Sequence, residues 1–270
     1  MTSVLAACVQ FCAGPDKQEN IERMAPLVAH AADRGARLVQ LPEKWNAVAD
    51  GPELARYAER LGDGGPTLDA LSSWAATYSI DLIGGSIAID QGDRVGNVSI
   101  AFDGDGRLAG SYTKIHLFDV DVGGFSYRES DGTDPGQDPS LVELGGVPVG
   151  MTVCYDLRFP ELYRELGRRG ALVLSIPSNF TLLTGLAHWE PLLRARAIEN
   201  QCFVLAAGQH GFPGGGRKPS YGHSLIVDPW GTVLAQAAGG DGVILAELDL
   251  AAQRQVREQL PALRHRRLGV

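Results

Sequence analysis

Apolar positions in this chain fall into short runs separated by stretches with helical spacing. Residues 4–11 form an almost unbroken apolar run of strand length. Asp16, with Glu19 three residues on, reads as an N-cap opening a helix to about Arg34. Residues 38–41 predict a short buried strand stopping at Pro42-Glu43. After Gly64-Gly65-Pro66, the residues Leu68, Leu71, Trp74, Ala75 and Tyr78 recur at helical spacing. Strands are predicted over 81–89, 97–102 and 108–112, the last two joined by the turn sequence Asp103-Gly104-Asp105-Gly106. Residues 115–139 are polar and glycine-rich, and a loop of that length in a compact domain is usually functional or disordered.

Strand signals resume at Leu141 and Val147, and a strand runs into Cys154. Helices are predicted over about 160–169 and 187–201, and strands over 172–176, 202–207, 223–227, 233–236 and 243–248. Asp228-Pro229-Trp230-Gly231 is a turn between two of these strands. Strands outnumber helices, and both crossovers and hairpins are implied. The pattern predicts an α/β sandwich with mixed sheets rather than a purely parallel doubly wound sheet. With no linker or repeat, 1–270 reads as one domain.

Composition narrows the function classes. The chain has 270 residues, 44% of them apolar and 21% charged, as in an ordinary globular protein. Its net charge of −8 argues against a nucleic-acid partner, because phosphate neutralisation needs a basic face. No apolar run approaches membrane-spanning length and the N-terminus lacks a basic region, so neither a membrane partner nor a secretory signal is expected. Four cysteines make no disulfide framework, and Cys8 and Cys12 lack a second ligand pair for zinc. Cys8 and Cys202 sit in apolar runs and read as inert core, and a reducing cytoplasm is the simplest setting.

Glu43, Lys114 and Cys154 each fall just past the end of a predicted strand, where α/β sheets collect their ligands. Singly, a surface carboxylate, a surface ammonium and a core thiol are the commoner readings. Together, and with Glu129 in the long loop, they point to a nucleophilic site. A helix-like stretch follows Cys154, which predicts a thiolate favoured by a helix N-terminus.

Leu41-Pro42-Glu43, Tyr112-Thr113-Lys114-Ile115-His116-Leu117-Phe118-Asp119 and Val153-Cys154-Tyr155-Asp156-Leu157-Arg158-Phe159-Pro160-Glu161 resemble, in order, the three signatures of the nitrilase superfamily of carbon–nitrogen hydrolases. The resemblance spans nearly the whole chain. It implies a four-layer αββα sandwich once two subunits pack together, hence a homodimer or higher homo-oligomer, and a Glu-Lys-Cys triad matched by Glu43, Lys114 and Cys154. Glu129 matches a second glutamate common in the family.

These residue types suit amide hydrolysis, which needs a nucleophile, a proton carrier and an oxyanion stabiliser. Glu43 can carry the thiol proton to the leaving nitrogen. Lys114 and the backbone N–H of Tyr155 can meet the oxyanion, and Glu129 can position Lys114 or the water. The chemistry needs no cofactor. Tyr155, Arg158 and Asn179 are the candidate substrate-binding residues. Arg158 suits a substrate carboxylate, the alternative being an ion pair with Glu161 or Asp156. Family nitrilases usually carry Cys-Trp-Glu, whereas this chain has Cys154-Tyr155-Asp156, which points to amides rather than nitriles.

Segments around Thr184-Gly185-Leu186-Ala187-His188, Ser220-Tyr221-Gly222-His223 and Val227-Asp228-Pro229-Trp230-Gly231 resemble the deaminated glutathione amidase branch. Segments 84–87 and 114–122 resemble the omega-amidase branch, which acts on 2-oxoglutaramate. The former covers more residues and is the preferred reading. A nitrile or N-carbamoyl hydrolase and a non-catalytic binding module of the same fold are further alternatives. His116, His188 or His223 could instead pair with Cys154 in a cysteine-protease manner. Gly214-Gly215-Gly216-Arg217-Lys218 lacks the Gly-Lys-Ser/Thr ending of a phosphate loop and reads as a mobile surface loop, with Arg217 and Lys218 at a pocket mouth.

Overall fold

The computed structural model describes residues 2–49, 51–122, 124–216 and 218–268, with 51, 52 and 125 described by backbone alone. The first half alternates strands and helices. β1 (Ser3–Gln10) leads to α1 (Lys17–Asp33), whose N-cap Asp16 accepts the Glu19 N–H at 2.8 Å. β2 (Leu38–Gln40), α2 (Pro66–Tyr78), β3 (Asp81–Asp90), β4 (Val95–Phe102) and β5 (Leu108–Thr113) follow. The stretch read as a loop over 115–139 is in part ordered. It folds as a hairpin of β6 (Asp119–Val122) and β7 (Phe125–Arg128), a 3-10 turn Glu129–Asp131 and β8 (Thr133–Asp134). The hairpin's mostly exposed, charged positions hide it from an apolar-pattern reading.

The second half comprises β9 (Ser140–Leu144), β10 (Val147–Met151), α3 (Pro160–Arg168), β11 (Val173–Ser175), α4 (Leu182–Asn200), β12 (Phe203–Ala206), a bridge of β13 (His210–Gly211) with β14 (Ser220–Tyr221), β15 (Leu225–Val227), β16 (Val233–Gln236), β17 (Gly242–Asp249) and α5 (Leu250–Gln259). α4 starts five residues earlier than its spacing suggests, because Leu182, Leu183 and Leu186 face outward and blur the apolar stripe. α5 carries only two buried residues, Leu250 and Gln253, and gave no sequence signal.

Two mixed sheets result, with strand orders β17-β1-β2-β3-β4-β5 and β16-β15-β12-β11-β10-β9. β1, β2 and β3 run parallel, as do β10, β11 and β12, and the flanking pairs are antiparallel. β1 shows why its apolar run is nearly continuous: Ala7 and Val9 pack toward the α1/α2 side, while Ala6 and Cys8 pack toward the second sheet. Met24, Val28, Leu71 and Ala75 cover the first sheet. Leu162, Leu166, Leu193 and Ala197 from α3 and α4 cover the second. The layers α, β, β, α are therefore complete within one chain and do not wait for a second subunit, correcting that part of the expectation. Each sheet already buries both faces on covalently attached elements.

Candidate active site

Four chain segments bring their ends to one place. After β2 the chain passes Pro42 to Glu43 and Lys44. After β5 it reaches Lys114. After β10 it reaches Cys154, which opens a 3-10 turn Cys154–Arg158 and is anchored by its N–H on Pro177 O at 2.9 Å. The β6–β7 hairpin returns Glu129, whose N–H meets Phe118 O at 3.3 Å. Two glycines permit these approaches. Gly85 has φ +68, and a Cβ there would fall 1.9 Å from Pro42 O, against the segment carrying Glu43. A Cβ on Gly136 would fall 2.2 Å from Thr113 O, next to the Lys114 carbonyl that Gly136 N–H holds at 2.8 Å.

The side chains converge as a buried charge cluster. Lys114 is 1% exposed, Glu43 3% and Glu129 4%. Lys114 Nζ donates to Glu43 Oε1 at 3.0 Å and to Glu129 Oε2 at 2.8 Å. The Cys154 thiol faces the Glu43 carboxylate, whose charge acts on it. Glu43 Oε2 also accepts the backbone N–H of Asn179 at 2.7 Å, and Glu129 Oε2 that of Phe118 at 2.9 Å. Burial works against the charge on Lys114, but Glu129, Glu43 and Cys154 outweigh it and hold the ammonium well above its ordinary value. Burial would likewise raise Glu129, but Lys114 and Lys44 reverse this and hold it well below the usual carboxylate range.

Cys154 departs from expectation. Burial, then the neighbouring Glu43 charge, push its thiol well above the ordinary value, and Lys114 only partly opposes them. The resting group is a neutral thiol on Glu43, not a thiolate at a helix N-terminus, since α3 begins only at Pro160 after a five-residue 3-10 turn. Cys154 also sits at φ 49, a left-handed conformation that costs a non-glycine residue of order 1–3 kcal/mol. Buried Asp156 clasps this turn by accepting from Val153 N–H at 2.8 Å, Tyr112 OH at 2.9 Å and His116 N–H at 3.1 Å.

A cavity of about 370 Å³ opens from this cluster. Phe118 and Tyr155 form part of its wall, in edge contact at 5.0 Å. Arg158 lies on the same wall, its guanidinium 5.2 Å from the Phe180 ring centre and 3.1 Å from His188 Nδ1. Among the described residues no carboxylate pairs with Arg158, so the alternative ion pair with Glu161 or Asp156 does not form. Asn179 contributes chiefly its backbone, while its side-chain oxygen accepts from Ser220 Oγ. Lys218 lines the cavity; Arg217 lies outside the described residues.

The three histidines lie elsewhere. His116 is bound to Asp156 and stacked on Phe159 at 3.7 Å, His188 holds Arg158, and His223 packs on Tyr221. None lines the cavity. Sequence reasoning missed Asn97 and Lys44. Asn97 Nδ2 donates to both glutamates, and Lys44 Nζ lies 3.2 Å from Glu129 Oε1. The adjacency of Lys44 to Glu43 was the available signal, whereas Asn97 gave none inside an apolar strand. Among the described residues no His, Cys, Asp and Glu cluster could hold a metal, and no helix is long and apolar enough to cross a membrane.

A buried thiol, carboxylate and ammonium thus meet at the mouths of two stacked sheets, the parts that hydrolysis through a thioester needs. Residues 5–258 match the family model described as carbon-nitrogen hydrolase. Omega-amidase NIT2 of Xenopus tropicalis is 40% identical over 271 residues, covering 99% of this chain and 96% of that protein. Human deaminated glutathione amidase is 42% identical over 273 residues, covering 97% and 82%. The crystal structure of Saccharomyces cerevisiae Nit3, a nitrilase-superfamily member, superposes with a TM-score of 0.90 at 32% identity, covering 99% and 97%. The chain belongs to the carbon–nitrogen hydrolase family, and it is an amidase of that family.

Proposed function

We propose that Glu43, Lys114 and Cys154 are the catalytic triad, assisted by Glu129, of an amidase acting on a small carboxylate-bearing amide. The observation that carries this reading is the convergence of one thiol, one carboxylate and one ammonium at the floor of a cavity whose wall presents Arg158. Glu43 accepts the thiol proton as Sγ bonds to the amide carbon. Charge on the carbonyl oxygen is met by Lys114 and the Tyr155 backbone N–H. Glu43 then protonates the nitrogen, the C–N bond breaks and a thioester remains. Glu43 deprotonates a water, which bonds to the acyl carbon. The C–S bond breaks, the thiol regains its proton and the carboxylic acid leaves. Glu129 holds Lys114 in line throughout, and Arg158 binds the remote carboxylate. No step calls on a cofactor.

Deaminated glutathione is the preferred substrate, because Thr184 and Ser220, from segments resembling that branch, line the cavity. Phe118, from a segment resembling omega-amidases, lines it too and supports 2-oxoglutaramate as the second reading. Hydrolysis of either releases 2-oxoglutarate, so one assay run in parallel, with Cys154→Ala as blank, compares them. Preference for deaminated glutathione supports the first reading and preference for 2-oxoglutaramate the second. Turnover that survives Cys154→Ala removes the thioester route.

The same reading takes the chain as a single domain over 1–270 working as a homodimer or higher homo-oligomer in the cytoplasm. Exposed Leu183, Leu186 and Ile198 along α4, and exposed Trp230 beside Gly231, which abuts Ile198, support the dimer. Four free cysteines suit a reducing compartment. Light scattering and localisation of the native protein test these two statements.

A further inference from the structure

Glu43 and Lys44 are consecutive, yet both side chains line the same cavity. Neighbours in extended chain point to opposite sides. Lys44 escapes this alternation through a left-handed backbone, φ 52, held by its N–H on Ser86 O at 2.8 Å and by Gln209 Nε2 on its carbonyl at 3.0 Å. A buried lysine in a conformation unfavourable for non-glycine residues is over-determined by its surroundings, and such strain gathers at functional positions.

The charges explain what it does. Glu43 and Glu129 are two buried carboxylates, and Lys114 alone would leave the cluster one negative charge in excess. Lys44 Nζ supplies the second cation at 3.2 Å from Glu129 Oε1, the oxygen that Lys114 does not bind. The two ammonium groups thus divide Glu129 between them. Resting on the triad reading above, we propose that Lys44 is a positioning residue of this amidase: it neutralises Glu129, so that Lys114 can turn its charge to Cys154 and the oxyanion. The ionisable groups facing this set are Glu43 and Lys44 after β2, Lys114 after β5, Tyr127 on β7, Glu129 after the hairpin, and Cys154 after β10. Lys44 is one of the two cations that hold Glu129 ionised, so its removal lets Glu129 protonate at higher pH.

The test compares Lys44→Gln and Lys44→Arg in the full chain, with Cys154→Ala as blank. Release of 2-oxoglutarate from deaminated glutathione and from 2-oxoglutaramate is followed across pH. Misplacement of a catalytic group by small distances costs about a hundredfold, so Lys44→Gln should lower kcat by about that factor with a smaller change in KM. Its acid limb of kcat/KM should move to higher pH, and Lys44→Arg should restore the wild-type limb. A wild-type kcat and acid limb in Lys44→Gln overturns the proposal. If Lys44→Gln does not fold, Lys44→Arg decides, since a shifted limb there overturns it. A substrate-independent arm follows the pH dependence of Cys154 alkylation by iodoacetamide. It should move to higher pH in Lys44→Gln, and no movement counts against Lys44 whether or not either amide is turned over. Activity that survives Cys154→Ala instead defeats the triad reading and leaves the alkylation arm to judge Lys44.

Discussion

The side-chain amide of Asn97 donates to Glu43 Oε1 at 2.9 Å, and the same nitrogen reaches Glu129 Oε1 at 2.9 Å. One neutral group on β4 therefore spaces two buried carboxylates from different parts of the chain. Hydrogen bonds to charged groups contribute about 1.5–3 kcal/mol. Asn97→Ala is expected to lose about 2 kcal/mol or more of stability in urea unfolding, and kcat should fall with it. An unchanged kcat shows that Asn97 does not set the carboxylate geometry.

Lys114→Arg should be inactive although charge is retained. The ammonium is wedged between two carboxylates at full burial, and a planar guanidinium has a different reach and fork. A loss of about 10²–10³ in kcat is expected, as for removal of an oxyanion donor. Substantial activity in this variant favours a Cys–His mechanism.

Cys154 should be protonated in the resting enzyme at neutral pH, since burial and Glu43 push its thiol well above the ordinary value. The difference in thiolate absorbance between the wild type and Cys154→Ala, titrated upward in pH, reads this directly. A thiolate signal already present at neutral pH contradicts a thiol held neutral by burial and Glu43.

Glu129 links stability to pH with a definite sign. Its folded carboxyl lies well below its unfolded value of about 4.3, so its contribution is fully present above that pH. The contribution is lost as pH falls below about 4 toward the folded value. Thermal melts of Glu129→Gln should be less stable than wild type at neutral pH and converge with it in acid. Parallel curves across pH 3–7, a window set by that carboxylate range, exclude Glu129 as the source.

Arg158→Ala should raise KM for a carboxylate-bearing amide by about tenfold to a hundredfold, the equivalent of about 1.5–3 kcal/mol for a charge-assisted contact. KM for a neutral amide should stay near wild type. Equal effects on both substrates assign Arg158 to holding Tyr155 and Phe180 rather than to binding charge.

The sequence by itself determined the chemistry and the broad class. Glu43, Lys114 and Cys154 were legible because each lies in a short ordered motif past a strand, and α1 was legible because Asp16 and Glu19 cap it locally. Those signals depend only on neighbours in the chain. Tertiary structure decided what depends on groups distant in sequence. Cys154 is a neutral thiol because the fold buries it and brings Glu43, remote in the chain, against it. Arg158 is left to the cavity because His188 on α4, not Glu161 nearby in the chain, meets it. Asn97 and Lys44 gained their places only when β2 and β4, on either side of β3, came together with the returning hairpin. Burial and charge pairing act through space, and a one-dimensional pattern carries their consequences only where spatial neighbours are also chain neighbours.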